Sequence, residues 1–292
     1  MRYFLAMRVP FRLLDVFAEA PFTGNQLCVV PDVPAGLDAE MMLTLAREIA
    51  FSETTFVTAV RDDGYDVRIF TPDGELPFAG HPTIGTAYVL VSDERVSPSL
   101  VQTSAAGDVP VEVDLANRRA TMHQLPPVFS EPFADRAAVA TGAGLELGDL
   151  IDELPIVAVS TGIAHLMVPV RDEEILRRAD RSPRACSAVC EAADVEALYL
   201  FAVRGGGDVM ARMFDRFMAI GEDPATGSAA GPLGAYLSRH GLAGMPGRAM
   251  VAQGEMVGRP SFLQVDVLPE GGSWAIAVSG GVRLMGEGAF SF

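Results

Sequence analysis

Two glycine-led segments hold the residue types that bind a small acid and move its protons. Gly80-His81-Pro82-Thr83 places an imidazole directly after a glycine. Glu222-Asp223-Pro224-Ala225-Thr226-Gly227-Ser228 places a carboxylate four residues before a glycine and a hydroxyl directly after it. A glycine loop that opens a helix leaves backbone N–H groups without intrahelical partners, and such a terminus attracts carboxylates. Two of them facing one cleft would hold a small acid, with His81 as proton carrier, Asp223 as carboxylate and Ser228 as hydroxyl. Each feature also has an ordinary reading: a capped helix, a hydrogen-bonded structural histidine, or an aspartate that caps the next turn. Glu53 sits in Phe51-Ser52-Glu53-Thr54-Thr55-Phe56. Apolar neighbours disfavour its charged form, which suits a general acid or base. Its ordinary reading is an exposed glutamate at the start of a strand.

The elements that must position these groups are legible as patterns. Residues 11–17 and 27–30 read as strands around the turn-rich Pro21-Phe22-Thr23-Gly24-Asn25. A helix follows, with Asp38 as N-cap, Leu37, Met41, Leu45 and Ile49 at four-residue intervals, and Met42 and Ala46 widening the stripe. Residues 54–60 and 67–71 read as strands, and a helix runs from about Pro82, whose ring suits a first helical position, to residue 90. The stretch 104–125 reads as strand. Pro126-Pro127-Val128-Phe129-Ser130-Glu131-Pro132 breaks every periodicity and is the expected linker. Beyond it, 155–160, 163–170, 197–203, 209–214 and 263–267 read as strands. A helix opens at Thr226-Gly227-Ser228 and ends near His240, with Gly241 as its cap. Many strands with few helices predict an α/β or α+β layered fold.

The halves repeat. Gly80 to Leu90 can be laid on Gly227 to Leu237: each begins with glycine, is rich in small residues and ends on leucine. The offset, 227 − 80 = 147, is almost half of the 292 residues, as expected of a duplicated fold with two equivalent helices.

Composition bounds the function. About half the residues are apolar, a globular proportion, and a chain this long can bury a core without staples. With 38 acidic against 22 basic side chains, the net charge of −16 disfavours nucleic acid and anionic membranes as partners. Cys28, Cys186 and Cys190 are too few and too scattered for a disulfide framework or a metal site. The first residues are too short and too polar for a signal peptide, and no run reaches the ~20 apolar residues of a membrane span. A cytoplasmic protein is expected, starting at Met1 or Met7.

Several of these segments together resemble the PhzF-like family of phenazine biosynthesis. They are Phe51 to Phe56, Arg68-Ile69-Phe70-Thr71-Pro72 with Glu75 and Pro77, Phe78 to Thr83, and Glu222 to Ala229. Asp15-Val16-Phe17 with Gly24-Asn25, and Gly258-Arg259-Pro260-Ser261 near the end, extend the likeness over nearly the whole chain. The resemblance implies an α+β, diaminopimelate-epimerase-like fold, two similar halves each a curled sheet around a central helix, with the active site between them. Residues 1–125, with Glu53 and the Gly80-His81 loop, would form one half; residues 126–292, with Asp223 to Ser228, the other. It implies a homodimer and a cofactor-independent isomerase that uses no metal, nucleotide or redox group. Glu53 matches the glutamate that moves a proton across a dihydro-hydroxyanthranilate ring in the family's named member. His81 and Asp223 match its catalytic partners, while Ser52, Gly80, Gly227 and Ser228 would bind the carboxylic acid substrate. Gln26 departs from the pattern, standing where relatives usually carry proline.

Two rivals follow from the same fold. A racemase or epimerase would use two opposed cysteines, yet neither helix-start loop contains one. A non-catalytic metabolite-binding protein would not need Glu53. The substrate and pathway are not legible, because the residues preserve a kind of chemistry and not a substrate.

Overall fold

The computed structural model describes residues 7–204, 208–216, 221–242 and 247–292, so residues 1–6, where the expected N-terminus begins, lie outside it. The first half runs β1 (Arg8–Val16), β2 (Asn25–Val30), α1 (Ala39–Ile49), β3 (Glu53–Arg61), β4 (Gly64–Phe70), β5 (Glu75–Leu76), α2 (Gly80–Ser92), β6 (Ser99–Ser104), β7 (Gly107–Asp114) and β8 (Arg119–Gln124). After β9 (Val128–Pro132) and α3 (Arg136–Gly142) come β10 (Val157–Ser160), β11 (Ala164–Pro169), α4 (Glu173–Arg178), α5 (Pro183–Ala193) and β12 (Ala197–Val203). The chain ends with β13 (Val209–Asp215), β14 (Glu222–Asp223), α6 (Gly227–Arg239), β15 (Gly247–Gln253), β16 (Ser261–Glu270) and β17 (Ser273–Ser291).

The strand pairings occur twice in one order. In the first half β1–β2 is antiparallel, β2–β3 parallel across α1, β3–β4 and β4–β5 antiparallel, β4–β6 parallel across α2, and β6–β7–β8 antiparallel. In the second, β10–β11 is antiparallel, β11–β12 parallel across α4 and α5, β12–β13 and β13–β14 antiparallel, β13–β15 parallel across α6, and β15–β16–β17 antiparallel. The central helices keep the 147-residue offset at both ends, 227 − 80 and 239 − 92.

Each half ends in strand that crosses to the first strand of the other. β17 pairs with β8 over Ile276–Gly281 and then runs along β1 from Val282 to Ser291, closing the first sheet into a ring. In the mirrored step β9 pairs with β10. The segment expected to be a linker is therefore partly strand. Its prolines hid this, but β9 pairs on one side only, and proline is tolerated on such an edge. The stretch 104–125, expected to be strand, is the hairpin β7–β8, which continues from β6.

The central helices are buried almost all round, α2 from Gly80 to Val91 save Tyr88 and α6 from Gly227 to Leu237. Such helices show no amphipathic stripe. Their small residues let the sheets curl close: a Cβ on Gly85 would lie 2.4 Å from Leu27 Cδ2, and one on Gly234 2.5 Å from Val265 Cγ1. The other helices pack outside. Asp38 accepts the Met41 N–H at 2.9 Å, as expected of the N-cap, and Met42, Leu45 and Ala46 bury against Val30, Phe56 and Phe70. Met41 and Ile49, at the margin of that stripe, are only half-buried. Gly241 has φ 64°, the left-handed cap expected after α6. Cys186 and Cys190 share one buried side of α5. Among the described residues no helix is long and apolar enough to cross a membrane.

Candidate active site

The two central helices meet at their N-termini. A Cβ added to Gly80 would stand 2.7 Å from the Ser228 nitrogen and 2.8 Å from both Cα and carbonyl carbon of Gly227. Only glycine allows this approach, and it brings the amide ends of both helices to one point. Buried side chains hold each start in place. Tyr65 donates to Gln102 Oε1 (2.8 Å), whose Nε2 donates to Thr83 Oγ1 (2.8 Å), which donates to the Ala79 carbonyl (2.8 Å). At the other helix Tyr199 donates to Gln253 Oε1 (2.9 Å), and Gln253 Nε2 donates to Thr226 Oγ1 (2.9 Å) and to the Asp223 carbonyl (2.8 Å). Gln124 reaches from β8 to tie Thr161 to the Gly227 carbonyl.

Glu53, His81 and Asp223 converge beside this junction. Glu53 opens β3 next to Leu27 of β2, and its Oε2 lies 3.3 Å from His81 Nε2. His81 Nδ1 faces Asn25 Nδ2 at 3.1 Å, and that same amide nitrogen donates to Asp223 Oδ1 at 2.7 Å and to the Ala225 carbonyl at 3.1 Å. Asp223 Oδ2 accepts from Thr226 Oγ1 at 2.5 Å. Ser52 donates to Asn25 Oδ1 at 3.2 Å. Asn25 thus joins His81, Asp223 and Ser52, although sequence singled it out only as the end of a turn and as part of the family resemblance, not as a site residue. His165 sits with Nε2 3.1 Å from Ser228 Oγ. No local pattern marks it, since β11 delivers it across the fold.

A cavity of about 590 Å³ opens over the group, walled by Glu53, Gly80, His81, His165, Asp223 and Ser228 among others. Ser52 and Gly227 are not on that wall: Ser52 stands behind Asn25, and Gly227 packs against Gly80, Phe17 and Met122. The wall also carries Asp73, Glu75, Asp194, Glu196 and Asp215, against Arg216 as the one Lys or Arg side chain on it among the described residues. Cys28, Cys186 and Cys190 are buried elsewhere. Among the described residues no group of His, Cys, Asp and Glu is arranged to hold a metal ion.

Burial sets the protonation states. It pushes the Glu53 carboxyl up to about 7, against the opposing Ser52 hydroxyl and with added repulsion from Asp215. It also pushes Asp223 up to about 7, with Glu53's charge adding to the effect and His81, Thr226 and Asn25 opposing it. The two carboxyls therefore exchange protons near neutrality as a pair. Burial drives His81 down to about 4 and His165 to about 3, so both imidazoles are neutral.

These states predict a pH-dependent stability. A carboxyl raised from 4.5 to about 7 favours the fold fully below pH 4.5, and that contribution is lost as pH rises through 7. Glu53→Gln is expected to gain stability over the wild type across that window, by up to about 3 kcal/mol. The lowered His81 acts oppositely, its contribution being lost as pH falls from 6.5 through about 4. Urea melts of both proteins at a series of pH values test this; a stability difference that stays constant across the window would refute it.

Comparison with known proteins gives the chain's relatives. Residues 14–288 match the PhzC-PhzF family model, described as phenazine biosynthesis-like protein. The trans-2,3-dihydro-3-hydroxyanthranilate isomerase of Pseudomonas aeruginosa is 34% identical over 282 residues, covering 94% of this chain and 97% of that protein. The crystal structure of a Bacillus anthracis phenazine biosynthesis protein of the PhzF family aligns with a TM-score of 0.86 at 26% identity, over 97% of this chain and 99% of that one. A hydroxyproline epimerase from Agrobacterium vitis shares the fold alone, with a TM-score of 0.65 at 13% identity over 100% of this chain and 94% of that one.

Proposed function

Because this chain belongs to the phenazine biosynthesis-like PhzC-PhzF family, has its diaminopimelate-epimerase-like fold and is an isomerase, we propose that Glu53 shifts a proton between carbons of a small cyclic amino acid of the dihydro-hydroxyanthranilate kind. One observation carries the reading: a largely buried glutamate that ionises near neutrality faces a neutral imidazole in a cavity where two helix N-termini meet.

Glu53, as carboxylate, takes a proton from an acidic C–H. The bonding electrons move into the ring's double bonds, and protonated Glu53 returns the proton to another carbon. Atoms and electrons balance without an oxidant, reductant or cofactor. His81 and Asp223 hold the substrate's polar groups and carry protons beside Glu53. Ser228 and the amides near Gly80 and Gly227 receive the carboxylate, and Ser52 steadies Asn25 behind them. The acidic wall favours a substrate with an amino group beside its carboxylate over a net anion. The absence of a cysteine from the wall speaks against two-thiol epimerisation. The same reading makes the enzyme a homodimer of the cytoplasm, a compartment that suits three buried, unpaired cysteines.

The test follows trans-2,3-dihydro-3-hydroxyanthranilate by absorbance and NMR in deuterated buffer. Consumption of the substrate, with the proton on a new carbon, is expected. A substrate left untouched by folded enzyme would exclude this compound and return the question to other cyclic amino acids.

A further inference from the structure

Resting on the reading that Ser228 receives the substrate's carboxylate, we propose that His165 is a positioning residue. Its imidazole holds the Ser228 hydroxyl on the cavity wall where that carboxylate docks.

His165 breaks the pattern of its own strand. β11 alternates, with Leu166 and Val168 in the outer cluster beneath α3 and α5, and Met167 on the inner face among the central helices. His165 shares that inner face, and its register partners there are Val159 of β10 and Ala197 of β12, both in the apolar cluster. A leucine would complete the apolar surface. Instead an imidazole is taken out of water, and its side-chain hydrogen bond goes to Ser228 Oγ from Nε2, at 3.1 Å. Its buried Nδ1 has no protein partner. A polar ring buried with one nitrogen unmatched stabilises the core less than an apolar side chain of its size. Core packing therefore does not account for it, while its place on the cavity wall beside Ser228 does. Burial keeps the ring neutral, at a value of about 3, so it adds no charge to the site.

The duplication supports the same assignment. Ser228 is the second residue of α6 as His81 is of α2, and 228 − 81 is again 147. Each is met by a polar side chain from the hairpin that opens its own half, His81 by Asn25 and Ser228 by His165, both at 3.1 Å. The β10–β11 turn is also tied to α6. Thr161 Oγ1 donates to Gln124 Oε1 at 2.7 Å, and Gln124 Nε2 donates to the Gly227 carbonyl at 2.9 Å. The imidazole is thus fixed against the helix start whose hydroxyl it meets. Among the described residues His165 is the side-chain partner of Ser228 Oγ, and without it the hydroxyl is free to turn to another staggered rotamer.

The experiment combines His165→Leu and Ser228→Ala, singly and together, in urea melts and in kinetics on trans-2,3-dihydro-3-hydroxyanthranilate. His165→Leu should keep or raise the urea midpoint, yet raise KM about tenfold or more with kcat changed less than about threefold. Ser228→Ala should raise KM likewise, and adding His165→Leu to it should raise KM no further. His165→Gln, whose amide can still meet the hydroxyl, should recover most of the loss. A lowered midpoint with KM unchanged, or KM effects that multiply in the double variant, would overturn the proposal. If His165→Leu does not fold, His165→Ala takes its place, and the double variant decides alone. A substrate-free check is 15N NMR of histidine-labelled enzyme, with the His165 ring signals assigned by their loss in the His165 variant. They should move in Ser228→Ala, and signals that stay in place would also overturn the proposal. Signals that move in an enzyme that turns over no dihydro-hydroxyanthranilate would support the pairing and count against the substrate reading alone.

Discussion

Glu53→Gln is expected to lower kcat by about 10²–10⁴-fold while the protein keeps its fold, the range that loss of a general acid/base gives. The amide has the shape of the carboxylate and can still meet His81 Nε2 across the 3.3 Å contact, but it cannot bind and release a proton near neutrality. The same residue makes the wild type sensitive to pH, because its carboxyl ionises near 7 in a dry setting. The rate of the wild type should therefore rise through neutrality as Glu53 becomes the carboxylate, and the residual rate of the variant should lose that rise. Stopped assays of both proteins on trans-2,3-dihydro-3-hydroxyanthranilate, monitored by NMR, decide the matter. If the variant retained a tenth or more of the rate, Glu53 would not be the base, and Asp223, the other carboxyl raised to about 7, would become the principal candidate.

Gly80→Ala should be among the most damaging single methyls in the molecule's active region. The added carbon would stand 2.7 Å from the Ser228 nitrogen and 2.8 Å from the Gly227 backbone, and no side-chain rotation can relieve contacts with main chain. The two helix starts would have to part by roughly half an ångström or more to reach ordinary contact. Overpacking of this kind costs about 1–3 kcal/mol. The displacement also moves His81 and Ser228 relative to each other, so kcat/KM should fall by about 10²-fold. Gly148→Ala is the control, since a Cβ there meets nothing within 4 Å, and its stability should stay within about 0.5 kcal/mol of wild type. Urea melts and kinetics of the two variants suffice. A Gly80→Ala protein as stable and as active as the control would show that the helix junction tolerates separation.

The local features were legible because their causes are local. Asp38 caps α1 through a bond to Met41 three residues on, and Gly241 ends α6 through its own backbone angle. The repeat was legible for a different reason. A helix wrapped by sheet must be built of small residues wherever the strands come near, so Gly85 and Gly234 leave a mark on the sequence that their partners Leu27 and Val265 do not. The prolines of 126–132 misled, since proline reports a missing N–H and not whether the other side of the strand is paired.

By itself, then, the sequence determined which groups can do chemistry here, the glycine-led starts of two equivalent helices, and an acidic globular composition. Only the tertiary structure decided that Glu53, His81 and Asp223 share one cavity, that Asn25 lies between them, and that His165 stands against Ser228. The hydrogen bonds of Asn25 to His81 and Asp223 and of His165 to Ser228 join residues 56 to 198 positions apart, in a fold where β17 closes the first sheet and β9 adds an edge to the second. The protonation states came with that closure, for a carboxyl titrates near 7 only once the packed halves have taken water away from it.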